Sequence, residues 1–378
     1  MADYGYDHGH TPERNIVDMV VNLRKYSGTV VFNTASPIWK PEMDYQPVVK
    51  RFESSSGVTV FRLPLLAFPK HVTNCYLVMD EAVTLIDCAS GWGDSNESLE
   101  RCFQQLQDDF GQSVALKDVQ RLIITHGHVD HYGGIPYVLE HAKASVGIHA
   151  LDRSVVSNFA ERLIVASKDV EVFLHRTGTS AKKIAELLLL YKWSKERYTS
   201  SPIDFEIEEG PLPDSPFVVY HTPGHCPGQI CLRLDDLLFT ADHVLERITP
   251  HQSPESITRN TGLGHYLDAL AKIRLLDGIR LGLGGHEAEI PNVYERIDAT
   301  MGFHRQRLDK TLACCQEPGP LKDIAIGLFG KREGYHILLA LLETGAHLEY
   351  LYDRGAVVVD NYQDIEDDAH PVLRYRPA

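Results

Sequence analysis

Apolar residues along the 378-residue chain follow two rhythms. Short runs such as "GVTVFRLPLL", "NCYLVMD" and "AVTLIDCAS" are continuous or alternate every second position between turn residues, the pattern of β-strands. Longer runs repeat every three to four residues, the pattern of amphipathic helices. They include "DSNESLERCFQQLQDDF", with Asp94 or Ser95 placed to cap it, and "SAKKIAELLLLYKWSKERY". The strand "VQRLIITH" precedes a helix after Gly134, and "ASVGIHA" precedes a mostly helical stretch over 151–198. Strands resume at "FVVYHTP", "GQICLRLD" and "DLLFTADHVL", and the helix "HYLDALAKIRLLD" leads into the strand "IRLGLGGH". Alternation of this kind, with hairpin-like neighbours mixed in, predicts an α/β fold of sheets covered by helices.

The two ends read differently. Residues 1–56 form an N-terminal extension, with a helix expected in "NIVDMVVNLRKY", a strand in "GTVVFNT" and prolines at 37, 41 and 47. His8 and His10 belong there to a mobile polar tail rather than to a site. Residues 57–300 make the body. From 301 to 378 the pattern is helix, helix, helix and a short strand, a small separate module carrying "HILLALL" and "HLEYLY". Their apolar faces must be buried, either on the body or on a second copy, which favours a homodimer.

Charge narrows the partners. There are 37 basic and 52 acidic side chains, a net charge of -15, and the segment 318–378 alone carries 6 basic and 10 acidic residues. Nucleic acid and anionic membranes demand a basic footprint, so a small-molecule substrate is expected. The seven cysteines, Cys75, Cys88, Cys102, Cys226, Cys231, Cys314 and Cys315, are odd in number and show no regular pairing, which fits a reducing cytoplasm better than a disulfide framework. "MADYGYDHGHTPERN" lacks the basic and apolar regions of a secretory signal, and no run of about 18 apolar residues predicts a membrane span.

The chemistry gathers in "LIITHGHVDHYGG", which sets His126, His128, Asp130 and His131 directly after an apolar strand. Such a cluster is poor core material, because unpaired imidazoles and carboxylates are costly to bury. Histidine is the commonest metal ligand, and carboxylates join it at hydrolytic sites. Similar residues recur after later strands: His225 in "YHTPGHCPG", Asp242 in "LLFTADH" and His286 in "LGLGGHEAE", with Asp87 ending "VTLID" upstream. His221 reads as a hydrogen bonder that fixes the His225 loop, and Cys226 as a small apolar filler. Tyr132, Tyr266, His149 and His347 read as structural.

The pieces "LIDCAS", "THGHVDHYGG", "HTPGHCPGQICL", "LFTADHVL" and "GLGGHE" together resemble the metallo-β-lactamase fold superfamily, and within it the glyoxalase II-like hydrolases. The resemblance implies an αββα sandwich with two metals between its sheets. It implies that His126, His128 and His225 hold one ion, that Asp130, His131 and His286 hold the other, and that Asp242 bridges them while Asp87 orients ligands by hydrogen bonds. Antibiotic-degrading lactamases often carry Cys or Ser at some of these positions; Asp130 and Asp242 here favour the two-metal hydrolases. Zinc is the expected metal, with iron or manganese as alternatives. "AHLEYLYDRGAVV" is similar to the winged-helix tail of some superfamily members, though its acidity argues against DNA.

The expected function is a metal-dependent hydrolase in which a bridging hydroxide attacks a thioester, ester or lactone, with Asp130 or Asp242 relaying the proton. A phosphodiesterase or nuclease acting on RNA or DNA is the first alternative, and an iron-bound redox protein the second. The helical stretch 151–198, the loop after Asp242 and the C-terminal module are expected to wall the substrate pocket.

Overall fold

The computed structural model describes residues 45–368 and 370–378. The helix and strand expected before residue 45, and His8 and His10, lie outside the described residues.

Seven strands pair in chain order in a first sheet: β1 (Lys50–Glu53), β2 (Thr59–Phe68), β3 (His71–Met79), β4 (Val83–Ile86), β5 (Arg121–Ile124), β6 (Ser145–His149) and β7 (Phe205–Ile207). The pairs from β1 to β4 are antiparallel and those from β4 to β7 parallel. A second sheet holds β8 (Gly210–Pro211), β9 (Val218–His221), β10 (Ile230–Leu234), β11 (Leu237–Ala241) and β12 (Leu281–Gly284) in the order β12-β11-β10-β9-β8. Only its β11–β12 pair is parallel.

Strand alternation builds the layers. Val60, Val78, Ile86 and Ile123 of the first sheet share one apolar cluster with Val219, Ile230, Leu232, Phe239 and Leu283 of the second. Their neighbours Phe61, Leu77, Leu85 and Leu122 face the other way and pack with Leu99 and Phe103 of the helix Ser95–Asp108. On the far side of the second sheet, Cys231 and Leu238 join Tyr266 and Leu270 of the helix Leu263–Arg274 and Ile297 of the helix Val293–Cys314. A sheet buried on both faces must be covered on both, and the result is helix, sheet, sheet, helix.

The expected boundary at residues 56 and 57 falls between two paired strands, and the one at 300 and 301 falls within a helix. Residues 50–53, assigned to the extension, are an edge strand of the first sheet. The helix Val293–Cys314 runs unbroken through residues 300 and 301. Beyond it come the helices Leu321–Phe329 and Tyr335–Asp353, and the strands β13 (Gly319–Pro320), β14 (Val357–Val359) and β15 (Arg374–Pro377) in the order β13-β15-β14. Leu338, Leu341, Leu342, Leu348 and Leu351 belong to the same cluster as Tyr266 and Ile273. The apolar faces that suggested a second copy are therefore buried on the chain's own body. Among the described residues no helix is long and apolar enough to cross a membrane.

Candidate metal centre

Four strands from the two sheets end at one place. Asp87 follows β4, His126 lies just past β5, Asp242 follows β11 and His286 lies just past β12. The backbone turns sharply there. Asp87, Ala89, Ala241 and Glu287 have positive φ of 58°, 54°, 45° and 63°. Non-glycine residues held in that region cost roughly 1–3 kcal/mol each and cluster at functional sites. Gly285 is required: a Cβ there would lie 2.4 Å from Asp242 Oδ1 and 2.9 Å from His131 Cε1.

The residues read from the sequence as ligands converge in two groups. His126 Nε2 is 3.2 Å from His128 Nδ1, and the His225 ring centre lies 5.3 Å and 4.5 Å from those of His126 and His128. In the second group, Asp130 Oδ2 is 3.7 Å from His131 Nε2 and 3.5 Å from His286 Nε2. Asp242 stands between the two. Its Oδ2 is 3.9 Å from His126 Nε2, 3.5 Å from His225 Nε2 and 3.3 Å from His286 Nε2, while its Oδ1 is 3.5 Å from His131 Nε2.

Most of these spacings are too long for good hydrogen bonds. His131 Nε2, His225 Nε2 and Asp242 Oδ1 are buried and have no hydrogen-bond partner among the described residues. Leaving a buried acceptor unpaired costs roughly 1–3 kcal/mol. Nitrogen and carboxylate lone pairs brought to a common focus fit a divalent cation, and the His/Asp groupings here suggest divalent metal binding.

The far side of each ring explains why the lone pairs point inward. His131 Nδ1 donates to Asp87 Oδ2, His225 Nδ1 to the His251 carbonyl and His286 Nδ1 to the Val72 carbonyl, each at 2.8 Å. A proton fixed on Nδ1 leaves Nε2 free as an acceptor. His128 is turned the other way, with Nδ1 toward His126 and Nε2 3.4 Å from Cys226 Sγ. Asp87 is itself pinned by Thr125, whose backbone N–H and hydroxyl both donate to it at 2.8 Å.

Charge favours a cation as well. Burial opposes ionisation of Asp130 and Asp242, but the facing imidazoles outweigh it and hold both carboxyls well below the ordinary range. Burial likewise opposes protonation of His286, yet Asp242 and Asp130 raise it to about 9. On the other group, burial and the neighbouring His225 push His128 down to about 3.

Several contributors carry no sequence signal of their own. His71 is one: its Nε2 is 3.0 Å from Asp130 Oδ2, and its ring lies against His286 with centres 4.6 Å apart. Asp152 is another. Its Oδ2 accepts from Gly127 N at 2.7 Å and its Oδ1 from Gly228 N at 2.9 Å, so one buried carboxylate ties the His126–His128 turn to the His225 loop. Cys226, read as filler, sits beside His128; burial and then Asp152 and Asp242 push its thiol well above the ordinary range. His221 Nε2 donates to the Pro227 carbonyl at 2.8 Å, across the His225 loop. His149 stacks flat on His221, with centres 4.1 Å apart, and its Nδ1 accepts from Leu151 N. The Tyr266 hydroxyl donates to the His243 carbonyl at 2.8 Å. His347 is buried away from the centre, 3.2 Å from His304. A cavity of about 370 Å³ borders the motif, with Trp92, Tyr132, Arg197 and Tyr198 in its wall.

A family model described as the metallo-beta-lactamase superfamily matches residues 69–286, a span that holds every residue of both groups. The chain belongs to the metallo-beta-lactamase superfamily. The probable metallo-hydrolase YflN of Bacillus subtilis (strain 168) is 32% identical over 142 residues, which cover 36% of this chain and 47% of that relative. The match thus spans about half the relative's length. Among solved structures, a metallo-beta-lactamase family protein from Thermus thermophilus superposes with a TM-score of 0.66 at 25% identity, covering 84% of this chain and 98% of that one. A beta-lactamase domain protein from Burkholderia ambifaria gives 0.64 at 22% identity, covering 89% and 98%, and shows the shared fold.

Proposed function

We propose that the protein hydrolyses a carbonyl ester, a thioester, ester or lactone, at a centre that holds two divalent metal ions, with zinc as the metal. The observation that carries this reading is the position of Asp242, whose two oxygens face both ligand groups. His126, His128 and His225 would hold one ion and Asp130, His131 and His286 the other, with Asp242 placed to serve both. A metal pair bound in this way lowers the pKa of a coordinated water and polarises the scissile carbonyl.

The chain's own groups supply the rest. Asp87, the His251 carbonyl and the Val72 carbonyl fix three imidazoles in the ligating tautomer. Asp130 is placed to take a proton, and the half-exposed His71 ring 3.0 Å from it offers that proton a way to solvent. The cavity walled by Trp92, Tyr132, Arg197 and Tyr198 has none of the seven ligand-type residues in its wall, so the acyl group is not assigned to it. A net charge of -15 weighs against a polyanionic substrate.

The test is a substrate panel of acyl-coenzyme A, acyl-glutathione, lactone and bis-aryl phosphodiester, run beside elemental analysis of the purified protein. The expected result is close to two transition-metal ions per chain and turnover of a carbonyl ester. Full activity in metal-free protein, or turnover of the phosphodiester alone, would overturn the reading.

A further inference from the structure

The C-terminal helix Tyr335–Asp353 reaches the metal centre through one loop. Glu343 lies in its middle, 6% exposed. A buried carboxylate is costly unless its oxygens are paired, and both are. Oε1 takes Arg307 Nη1 at 2.6 Å, and Oε2 takes the backbone N–H of Gln252 at 2.8 Å. One turn earlier in the same helix, the Leu339 carbonyl accepts from His251 Nε2 at 3.0 Å. Two adjacent loop residues are therefore held by two successive turns of one helix, His251 by its side chain and Gln252 by its backbone. The carbonyl of that same His251 accepts Nδ1–H of His225 at 2.8 Å.

The nearby grouping of His304, Glu343 and His347 has a different explanation from a second metal site. His347 Nδ1 donates to the Glu343 carbonyl at 2.7 Å, His304 and His347 share a 3.2 Å hydrogen bond, and the Glu343 carboxylate is occupied by Arg307 and Gln252. The Glu343 oxygens and both His347 nitrogens are therefore engaged within the protein, while His304 Nε2 is buried without a hydrogen-bond partner among the described residues.

We propose that Glu343 is a positioning residue for the metal ligand His225: by fixing the loop His251–Gln252 it sets the carbonyl that aims the His225 imidazole, so the C-terminal module is a working part of the metal centre. The proposal rests on the reading of His225 as a ligand. Orienting groups one step behind a ligand change metal affinity by roughly 10–100-fold, and Glu343 acts one step further back. An effect of about tenfold is expected.

The experiment uses full-length protein loaded with zinc and titrated with a chromogenic chelator, beside thermal melting of the metal-free protein. Glu343→Gln removes the charge but keeps the shape. His251→Phe cuts the other rung and leaves the Glu343–Arg307 pair in place. Leu341→Ala weakens the packing of the same helix and removes neither hydrogen bond to the loop; Leu341 is 3% exposed. Glu343→Gln and His251→Phe should each release one zinc about tenfold more readily, while Leu341→Ala lowers the melting temperature and keeps wild-type affinity. Wild-type zinc affinity in both loop variants overturns the proposal, as does an equal loss in Leu341→Ala, which would mark a purely structural role. Wild-type protein that binds no zinc would overturn the metal reading itself, a result distinct from either of these.

Discussion

Asp87 and His131 are joined by a hydrogen bond of 2.8 Å between Oδ2 and Nδ1, with both side chains almost wholly buried. The carboxylate never reaches the centre of the site; it decides which nitrogen does. Asp87→Ala should therefore keep the fold and weaken metal binding by about 10–100-fold. Chelator competition on the full chain measures this, and an unchanged affinity would show that His131 needs no such partner.

Asp242 faces both ligand groups, so its loss should damage more than the loss of any residue that faces one. Asp242→Ala is expected to cut turnover at least about a hundredfold and to lower metal content per chain. Elemental analysis beside a steady-state assay checks both, and wild-type rates would show that the two groups do not share a bridge.

Asp152 ties two ligand loops through the backbone N–H groups of Gly127 and Gly228. Asp152→Ala removes the acceptor for both and leaves two backbone donors, one buried and one part-buried, without it. The expected cost is on the order of 3 kcal/mol, read from urea titration of metal-free protein, because hydrogen bonds to a charged group contribute about 1.5–3 kcal/mol each and neighbouring ones do not add fully. A change below about 0.5 kcal/mol, the ordinary surface range, would contradict the tie.

The charge on Glu343 gives a pH test. Burial raises its carboxyl, but His347, His251 and Arg307 outweigh burial and bring it to about 2, below its ordinary 4.5. A pKa lowered on folding stabilises the protein above the unfolded value and loses that contribution as pH falls through the folded one. Metal-free wild type should therefore lose stability between pH 4.5 and 2, on the order of 3 kcal/mol more than Glu343→Gln does. Parallel urea midpoints in the two proteins across that range would remove Glu343 from the account.

The strands that carry the site residues were legible because a sheet buried on both faces leaves continuous apolar runs such as those of β4, β5 and β11. The ligand-type residues were legible because histidines and aspartates crowd where those runs stop. What the pattern does not hold is anything decided across the chain. The edge strand β1 reads "KRFE", three of its four residues charged, and is defined by its pairing with β2. The strand β7 is only three residues, "FEI". His71 is a lone histidine opening a strand, and its role comes from Asp130, 59 residues away. Asp152 works through backbone N–H groups 25 and 76 residues distant, which no side-chain pattern announces. Nothing in the pattern marks that the helix Val293–Cys314 runs across the boundary expected near residue 300.

The two ligand groups have a consequence in time. Their residues run from His126 to His286 and hang from the ends of strands in both sheets. No short stretch of chain can assemble them: the first sheet must be paired, the second folded against it and the C-terminal helix seated on the His251 loop. Contacts so far apart in sequence carry a large loop-closure entropy, and the centre is expected to complete after the rate-limiting step of folding. Metal bound there should leave the refolding rate nearly unchanged and slow unfolding instead, so that its protection is felt as a longer native lifetime.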